Sequence, residues 1–379
     1  MRKQIHKLTF LLAFLLVTIV SCNKTEEPEP LNKEEAVEVL NSLGTEMGQT
    51  MGEMMASPSM VALTNFMFLM NFGQENPEMA LLPSAIESIV KLDAGQVKQI
   101  PSKLMLDDDG MGILDSLGTF TWNFTTYSWD YSQEPADKLI YIFPSTPEST
   151  ENDATLTISN FEFVTSLEDI FPVSFEVSLV VETEEILSLS YIATVNEAEL
   201  SGITLELIMA PFDFNLNLAI TIQSNGALVA FNHEFKKDGV KIMSSNIEVL
   251  MEGMTSFNIF NLVDEGEDES EDDEEEPLPA YVRGFFQFGQ VKAQLDLLTK
   301  DYLLALTDES SPEEQTSAAN ANLKITLYTY PQGAEIGDIV WQWDSEEESI
   351  VPYILFSDGT TQPLYDFFPE GLLEEFVFD

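Results

Sequence analysis

The 379 residues contain two histidines, His6 and His233, and one cysteine, Cys22, so imidazole and thiol chemistry have few places to occur. A structural or catalytic zinc site takes three or four His, Cys or carboxylate ligands, and a Cys-His or Ser-His nucleophile needs its base within hydrogen-bond reach. One cysteine and one histidine beyond the first few residues supply neither a His/Cys cage nor a Cys-His dyad. A serine nucleophile working through His233 would call for a Gly-x-Ser-x-Gly elbow, and the chain has none. It also lacks a Gly-x-Gly-x-x-Gly turn opening a helix and a Gly-x-x-x-x-Gly-Lys-Ser/Thr loop, the backbone cradles that hold nucleotide phosphates. His233 lies in a stretch of strand character and is expected to face solvent. No catalytic residue, cofactor site or dedicated metal site is expected.

Carboxylates are abundant, with 66 Asp and Glu. Asp107-Asp108-Asp109-Gly110 and the run Asp264 to Glu276, eleven acids in thirteen residues, offer hard oxygen ligands to weakly bound divalent cations. Neither has the alternating spacing of a calcium loop. Two opposed carboxylates could hydrolyse a glycosidic bond, but no pair stands out among so many. Trp122, Tyr127, Trp129, Tyr131, Trp341 and Trp343 could stack against sugars, or could be cross-strand core pairs; their even spacing within strands favours the core.

Cys22 stands in a more specific setting. Met1 to Lys7 is short and basic, Leu8 to Val20 is apolar apart from threonines, and Ile19-Val20-Ser21-Cys22 follows. The layout is that of a secretory signal. Thirteen residues make roughly 20 Å of helix, short of the roughly 30 Å hydrocarbon core of a bilayer. The four residues ending at Cys22 resemble the lipobox read by the bacterial lipoprotein signal peptidase. That resemblance implies cleavage before Cys22, a diacylglycerol thioether on its sulfur and a further acyl chain, palmitate for example, on the new amino terminus. Two or more chains make a stable anchor, at about 0.8 kcal/mol per buried methylene. The segment Asn23 to Pro30 is polar, acidic and proline-bearing, and reads as a disordered tether. Its Lys24-Thr25-Glu26-Glu27 resembles the signal that carries Bacteroidota-type lipoproteins to the outer face of the outer membrane. The expected location is the cell envelope, lipid-anchored at the outer membrane, with either the cell surface or the periplasm open to it.

Removing residues 1–21 takes away Arg2, Lys3 and Lys7 and no acid, leaving 13 basic against 66 acidic side chains and a formal charge of −53, where the whole chain carries −50. Nucleic acids and anionic lipid headgroups bind clustered Lys and Arg, so this field excludes them as partners. With 44% hydrophobic residues and 26 phenylalanines the chain has ample material for a core.

The elements that would position any site follow from periodicity. Val37, Leu40, Leu43, Met47, Met51 and Met54 recur every three or four residues, which predicts an amphipathic helix capped by Asn32 and ending near Ser57-Pro58. A second helix is expected over Met60 to Phe72, and a weaker helix and loop over 78–106. The methionines of these helices could line an adaptable groove or simply fill the core. From Gly118 the period becomes two. An aromatic hairpin (Gly118 to Phe124, Ser128 to Tyr131) is followed by strands over Lys138 to Phe143, Ala154 to Val164, Val173 to Val181, Ile186 to Val195, Ile203 to Met209, Phe212 to Ile222, Ala227 to Phe235 and Val240 to Leu250. Breaks between them at Asn225-Gly226 and Asp238-Gly239 are the residues of tight hairpins. Connections this short demand antiparallel neighbours. After the acidic run come Tyr281 to Phe288, a helix over Val291 to Leu306, and strands over Leu323 to Tyr330, Ile339 to Trp343 and Ser349 to Phe356.

The expected fold is α+β: a predominantly antiparallel meander, a curved sheet or partial barrel, closing over amino-terminal amphipathic helices. The expected organisation is a signal peptide (1–21), a tether (22–31), helices and meander (32–263), an acidic loop (264–277) and a carboxy-terminal part of the same fold (278–379). In general arrangement, aromatic strands containing Asp137-Lys138-Leu139-Ile140 and then a long meander, the chain resembles uncharacterised Bacteroidota-type lipoproteins, a likeness that implies no activity. Three roles stay open: an envelope lipoprotein with a binding or structural part, a carrier or sensor holding an apolar ligand between sheet and helices, and a carbohydrate hydrolase.

Overall fold

A computed structural model of the chain describes residues 28–72, 117–165, 170–196, 199–254, 279–307, 310–345 and 349–367. Cys22, the acids 107–109 and 264–276, and the expected helix of 78–106 lie outside them.

Two helices come first, α1 (Lys33–Met55) and α2 (Pro58–Phe72). Asn32 caps α1 as expected: its side chain accepts from Glu35 N–H at 3.0 Å while the Glu35 carboxylate accepts from Asn32 N–H, a capping box. The buried stripe of α1 is Ala36, Leu40 and Leu43, continued by half-buried Met47 and Met54; Met51 falls outside it and is 44% exposed. Ala56 and Ser57 end the helix, and Pro58 opens the next in the first turn, where a missing N–H costs nothing.

Most of the remaining described chain forms one sheet of sixteen strands: β1 (Gly118–Asn123), β2 (Ser128–Ser132), β3 (Leu139–Phe143), β4 (Ala154–Thr165), β5 (Ile170–Val181), β6 (Glu184–Asn196), β7 (Glu199–Met209), β8 (Phe212–Gln223), β9 (Gly226–Lys237), β10 (Val240–Glu252), β11 (Pro279–Phe288), β12 (Val291–Leu297), β13 (Leu323–Thr329), β14 (Glu335–Asp344), β15 (Ser349–Leu355) and β16 (Thr361–Pro363). From β3 to β16 every strand pairs antiparallel with the next, so the meander is real, curved, and not closed. It is also longer than the sequence pattern outlines, because β10 pairs directly with β11 across residues 255–278. One pairing departs from the meander: β1 lies between β2 and β3 and runs parallel to β3, which leaves β2 at the edge.

Three readings of local structure are corrected. Val291 to Leu306 is not a helix: Val291–Leu297 is β12, and only Thr299–Leu304 is helical (α3). Leu295, Leu298 and Tyr302 do share helical spacing. Val291, Ala293, Leu295 and Leu297, however, also alternate with Lys292, Gln294 and Asp296, and pairing on both sides with β11 and β13 decides for the strand. A further helix, α4 (Pro312–Asn322), had not been expected; its signal is Ser311-Pro312-Glu313-Glu314, a capping box with proline at the first helical position. At the two hairpin pairs the outcomes differ. Asp238 and Gly239 have φ of 51° and 74°, as a type I′ turn requires. At the other, Ser224 and Asn225 form the loop and Gly226 begins β9.

The alternation sets one face of the sheet inward. Across neighbouring strands the partners Leu139, Ile158, Val177, Leu189, Leu207, Phe214, Phe235, Met243, Phe288 and Val291 line up in a single inner row, each 8% exposed or less. The helices lie along one rim above this face. The rim is where β3, β5, β7, β9, β11, β13 and β15 end. Leu31 N–H donates to Glu335 O beside the β13–β14 turn, Glu53 pairs with Lys237 at the end of β9, Ser59 Oγ donates to Ile186 O near the start of β6, and Asn65 Nδ2 donates to Pro144 O just past β3. Phe66, fully buried, meets Tyr141 and Phe143 with ring centroids 5.0 Å away. At 1.5 Å per residue the two helices span about 57 Å, comparable to the eleven strand spacings of about 4.8 Å from β14 to β3. The helices are thus the filling that the one-sided apolar sheet requires.

Candidate functional site

His233 is on this concave face and not in solvent. Its neighbours of the same parity in β9, Val229, Phe231 and Phe235, all face inward, and His233 itself is 8% exposed. Ser245 lies directly opposite on β10 and Leu216 on β8. The imidazole is surrounded by the rings of Phe214, Phe231 and Phe286, with centroids at 5.9, 5.7 and 5.9 Å. Nδ1 and Ser245 Oγ share a hydrogen bond. Nε2 is buried and has no hydrogen-bond partner among the described residues. Burial among apolar groups penalises the imidazolium and pulls the histidine down to about 4 from its ordinary 6.5, so the ring is neutral at physiological pH.

An imidazole touching a serine is the start of a nucleophilic pair, yet the arrangement is not a triad. The serine meets Nδ1, the atom that an orienting carboxylate holds in a triad. No carboxylate hydrogen-bonds or ion-pairs with His233 among the described residues; the adjacent Glu234 points to the other face, where it pairs with Lys236 and Lys241. What the site holds is one unpaired ring nitrogen enclosed in apolar packing. Leaving such an atom unpaired costs about 1 to 3 kcal/mol.

A second orphan lies on the same inner row. Tyr191, 2% exposed and stacked on Phe175 at 5.0 Å, has a buried hydroxyl with no hydrogen-bond partner among the described residues. Burial pushes that phenol upward from its ordinary value, so it stays protonated.

The aromatic residues take the core role and not that of a platform. Trp122 (4% exposed) meets Trp129 edge-on at 5.5 Å, and Trp129 meets Tyr141 at 5.6 Å. Trp341 (6%) donates its indole N–H to Leu323 O at 2.9 Å, and Trp343 packs against the core at its side. Tyr127 and Tyr131 are 62% and 49% exposed, and Tyr131 is tied to Leu117 O through its hydroxyl. Of the methionines, Met60 and Met70 are buried, whereas Met51 and Met55 are exposed on α1. Among the described residues no group of three His, Cys, Asp or Glu is placed to hold a metal ion. Nor is any helix there long and apolar enough to cross a membrane.

The sequence of the partner serine hid the pair. Counting back from the Asp238-Gly239 turn pairs Val240 with Lys237 and Lys241 with Lys236, which would bring Ser244 opposite His233. A bulge between Lys241 and Met243 shifts the register by one and brings Ser245 there. Ser244 turns to the other face, where it bonds to Gln287 at 2.9 Å. Compared with protein-family models, with curated proteins and with solved structures, the chain matches none.

Proposed function

We propose that this chain is the precursor of an envelope lipoprotein, carried at the outer membrane on lipid attached to Cys22, and that its folded body has a binding or structural role. The observation that carries this is the order of the first segments: basic residues, an apolar run too short to span, then Ile19-Val20-Ser21-Cys22. The fold is compatible with it. Leu31 is tied to the fold, its N–H donating to Glu335 O at 2.8 Å and its carbonyl accepting from Ser357 Oγ at 2.7 Å, while residues 28–30 are exposed. Metabolic labelling with an alkyne-bearing palmitate tests the anchor: the parent chain takes up label, Cys22→Ser does not, and the variant leaves the membrane fraction. Label on Cys22→Ser at the parent's level would refute it.

A second reading, the carrier of an apolar ligand, is favoured by one observation. Toward the rim opposite α1, the inner face of β8 to β12 stays only half-buried, at Leu218, Phe231, Val229, Ile247, Val249 and Leu295. The hydrolase reading has no comparable support, since the tryptophans that would wall a sugar cleft are core.

A further inference from the structure

Charge is missing from one part of the surface. In a chain of which 22% is charged, residues 41–72 hold only Glu46 and Glu53, and α2 holds no charged residue at all. Both acids are half-buried at the rim, where Glu53 pairs with Lys237 and Glu46 stands over Gly289. The side chains left exposed on this stretch are therefore neutral. Among them Met51, Met55, Val61 and Phe68 are between 38% and 56% exposed. The exposed acids of α1, Glu34, Glu35 and Glu38, lie in its first two turns, before the stretch begins. Asp and Glu are at home on any exposed helix face, so solubility does not account for their absence over so much of two helices.

The start of the fold limits what this surface can meet. Leu31, whose N–H donates to Glu335 O beside the β13–β14 turn, stands at the rim along which α1 and α2 run. It follows Cys22 by nine residues, and covalent geometry allows nine residues at most about 32 Å. The twelve residues of β9 carry the sheet about 40 Å from this rim to the opposite one. Lipid on Cys22 would hold Leu31 closer to the bilayer than that, so the molecule cannot stand on its opposite rim. The convex face is unsuited for another reason. The stretch from β4 to β8, residues 154–223, contains no Lys or Arg, and its outer side presents exposed Glu176 and Glu206 in one row across Ser190. A bilayer bearing anionic headgroups repels such a surface. The helix side remains, and it is the side without charge.

We infer that α1 beyond Asn41 and α2 rest against the bilayer that carries the anchor, with Met51, Met55, Val61 and Phe68 at the boundary between headgroups and acyl chains. Helices that lie in this boundary bury their apolar residues about 5 to 10 Å deep. Neutral polar side chains between them lose little on meeting headgroups, where a carboxylate would be pressed against phosphate. The acidic convex face then points away from the membrane. The inference rests on the reading of Cys22 as the lipid site and adds to it the face that meets the bilayer.

The test uses the full lipoprotein purified from its own membrane and reconstituted in vesicles of phosphatidylethanolamine and phosphatidylglycerol, with or without doxyl-labelled lipid. Cys22 is the one native cysteine and its sulfur is taken by lipid, so an NBD fluorophore goes only to a cysteine introduced by Met55→Cys, Val61→Cys, Ala219→Cys or Gln294→Cys. Labels at 55 and 61 should emit further to the blue in vesicles and be quenched by the doxyl lipid. Labels at 219 and 294, on the convex face, should do neither. The same preparations are weighed intact by mass spectrometry. A chain without acyl groups overturns the anchor and this inference together. An acylated chain whose labels at 55 and 61 are quenched no more than those at 219 and 294 overturns this inference alone.

Discussion

Protonating His233 should destabilise the protein from the inside. The imidazole titrates at about 4 in the fold against an ordinary 6.5 because burial disfavours its charged form. The groups facing it are Leu216 and Phe214 on β8, Phe231 on its own strand, Ser245 on β10 and Phe286 on β11, none of which carries charge. From above, the inward stripe of α1 presents Leu43, Met47 and Met54, and the charges nearest along that helix, Glu46 and Glu53, lie at the rim, Glu53 on Lys237. A folded pKa below the unfolded one means the unfolded chain takes the proton first. The stabilisation is therefore complete above about pH 6.5 and is lost as pH falls toward 4; a difference of some 2.5 units at 1.36 kcal/mol each sets the loss at about 3 kcal/mol. Urea unfolding of the parent and of His233→Phe at several pH values between 7 and 4 isolates this contribution, because the many carboxylates titrate alike in both and cancel in the difference. The parent's advantage over the variant should shrink by about 3 kcal/mol between pH 7 and pH 4. A difference that stays constant, or a His233 resonance titrating near 6.5, would refute the argument that the ring is buried without compensation.

Other consequences are as definite. Tyr191→Phe removes a buried hydroxyl that has no partner among the described residues, so urea unfolding should show stability unchanged or raised by about 1 kcal/mol, where a satisfied tyrosine would lose as much. Asn320 stands in for a missing strand residue, its side chain accepting from Trp341 N–H and donating to Trp341 O at 2.8 Å each; Asn320→Ala should cost about 2 kcal/mol by the same assay and speed amide exchange at Trp341. Gly284 has φ of 135°, and a Cβ there would lie 1.9 Å from Asn246 O; Gly284→Ala should part β10 from β11 and cost at least about 3 kcal/mol, whereas Gly239→Ala, with open space around it, should cost about 1 to 2 kcal/mol for its positive φ alone. Phe66→Ala should cost about 3 to 5 kcal/mol, since the ring is fully buried where α2 meets β3.

The elements that were legible in the sequence are those whose period is unopposed. Phe212 to Ile222 alternates without a break and is β8; Asn32 with Glu35 announces the start of α1. Val291 to Tyr302 satisfies a two-residue and a helical period at once, and only the neighbours β11 and β13, distant or unformed from the viewpoint of the segment, settle it. His233 could have been placed inward by parity with Phe231 and Phe235; reading a lone polar residue as solvent-facing overrode a pattern that was present. Ser245 could not, because the bulge at Lys241/Met243 has no sequence mark comparable to the Asp-Gly turn beside it. The orphaned Nε2 is a property of packing alone. A pattern tells which face a residue takes and never whether its last hydrogen bond is made.

An open sheet of sixteen strands must also refuse further strands, since each edge presents unpaired N–H and C=O groups to any other chain. One edge is β2, five residues of which Asp130, Tyr131 and Ser132 are exposed. The parallel insertion of β1 beside β3 is what brings this short polar strand, and not the apolar Leu139–Phe143, to the outside. The other edge is β16, three residues ending in Pro363, which has no N–H to offer. Both edges thus end in strands too short or too irregular to template a partner, while the long strands, β4 to β10, lie in the middle with both neighbours in place. Closure into a barrel is another way to remove edges, but a closed barrel of this many strands would enclose far more volume than two helices fill. Stopping short of closure lets the sheet curl only as tightly as α1 and α2 require.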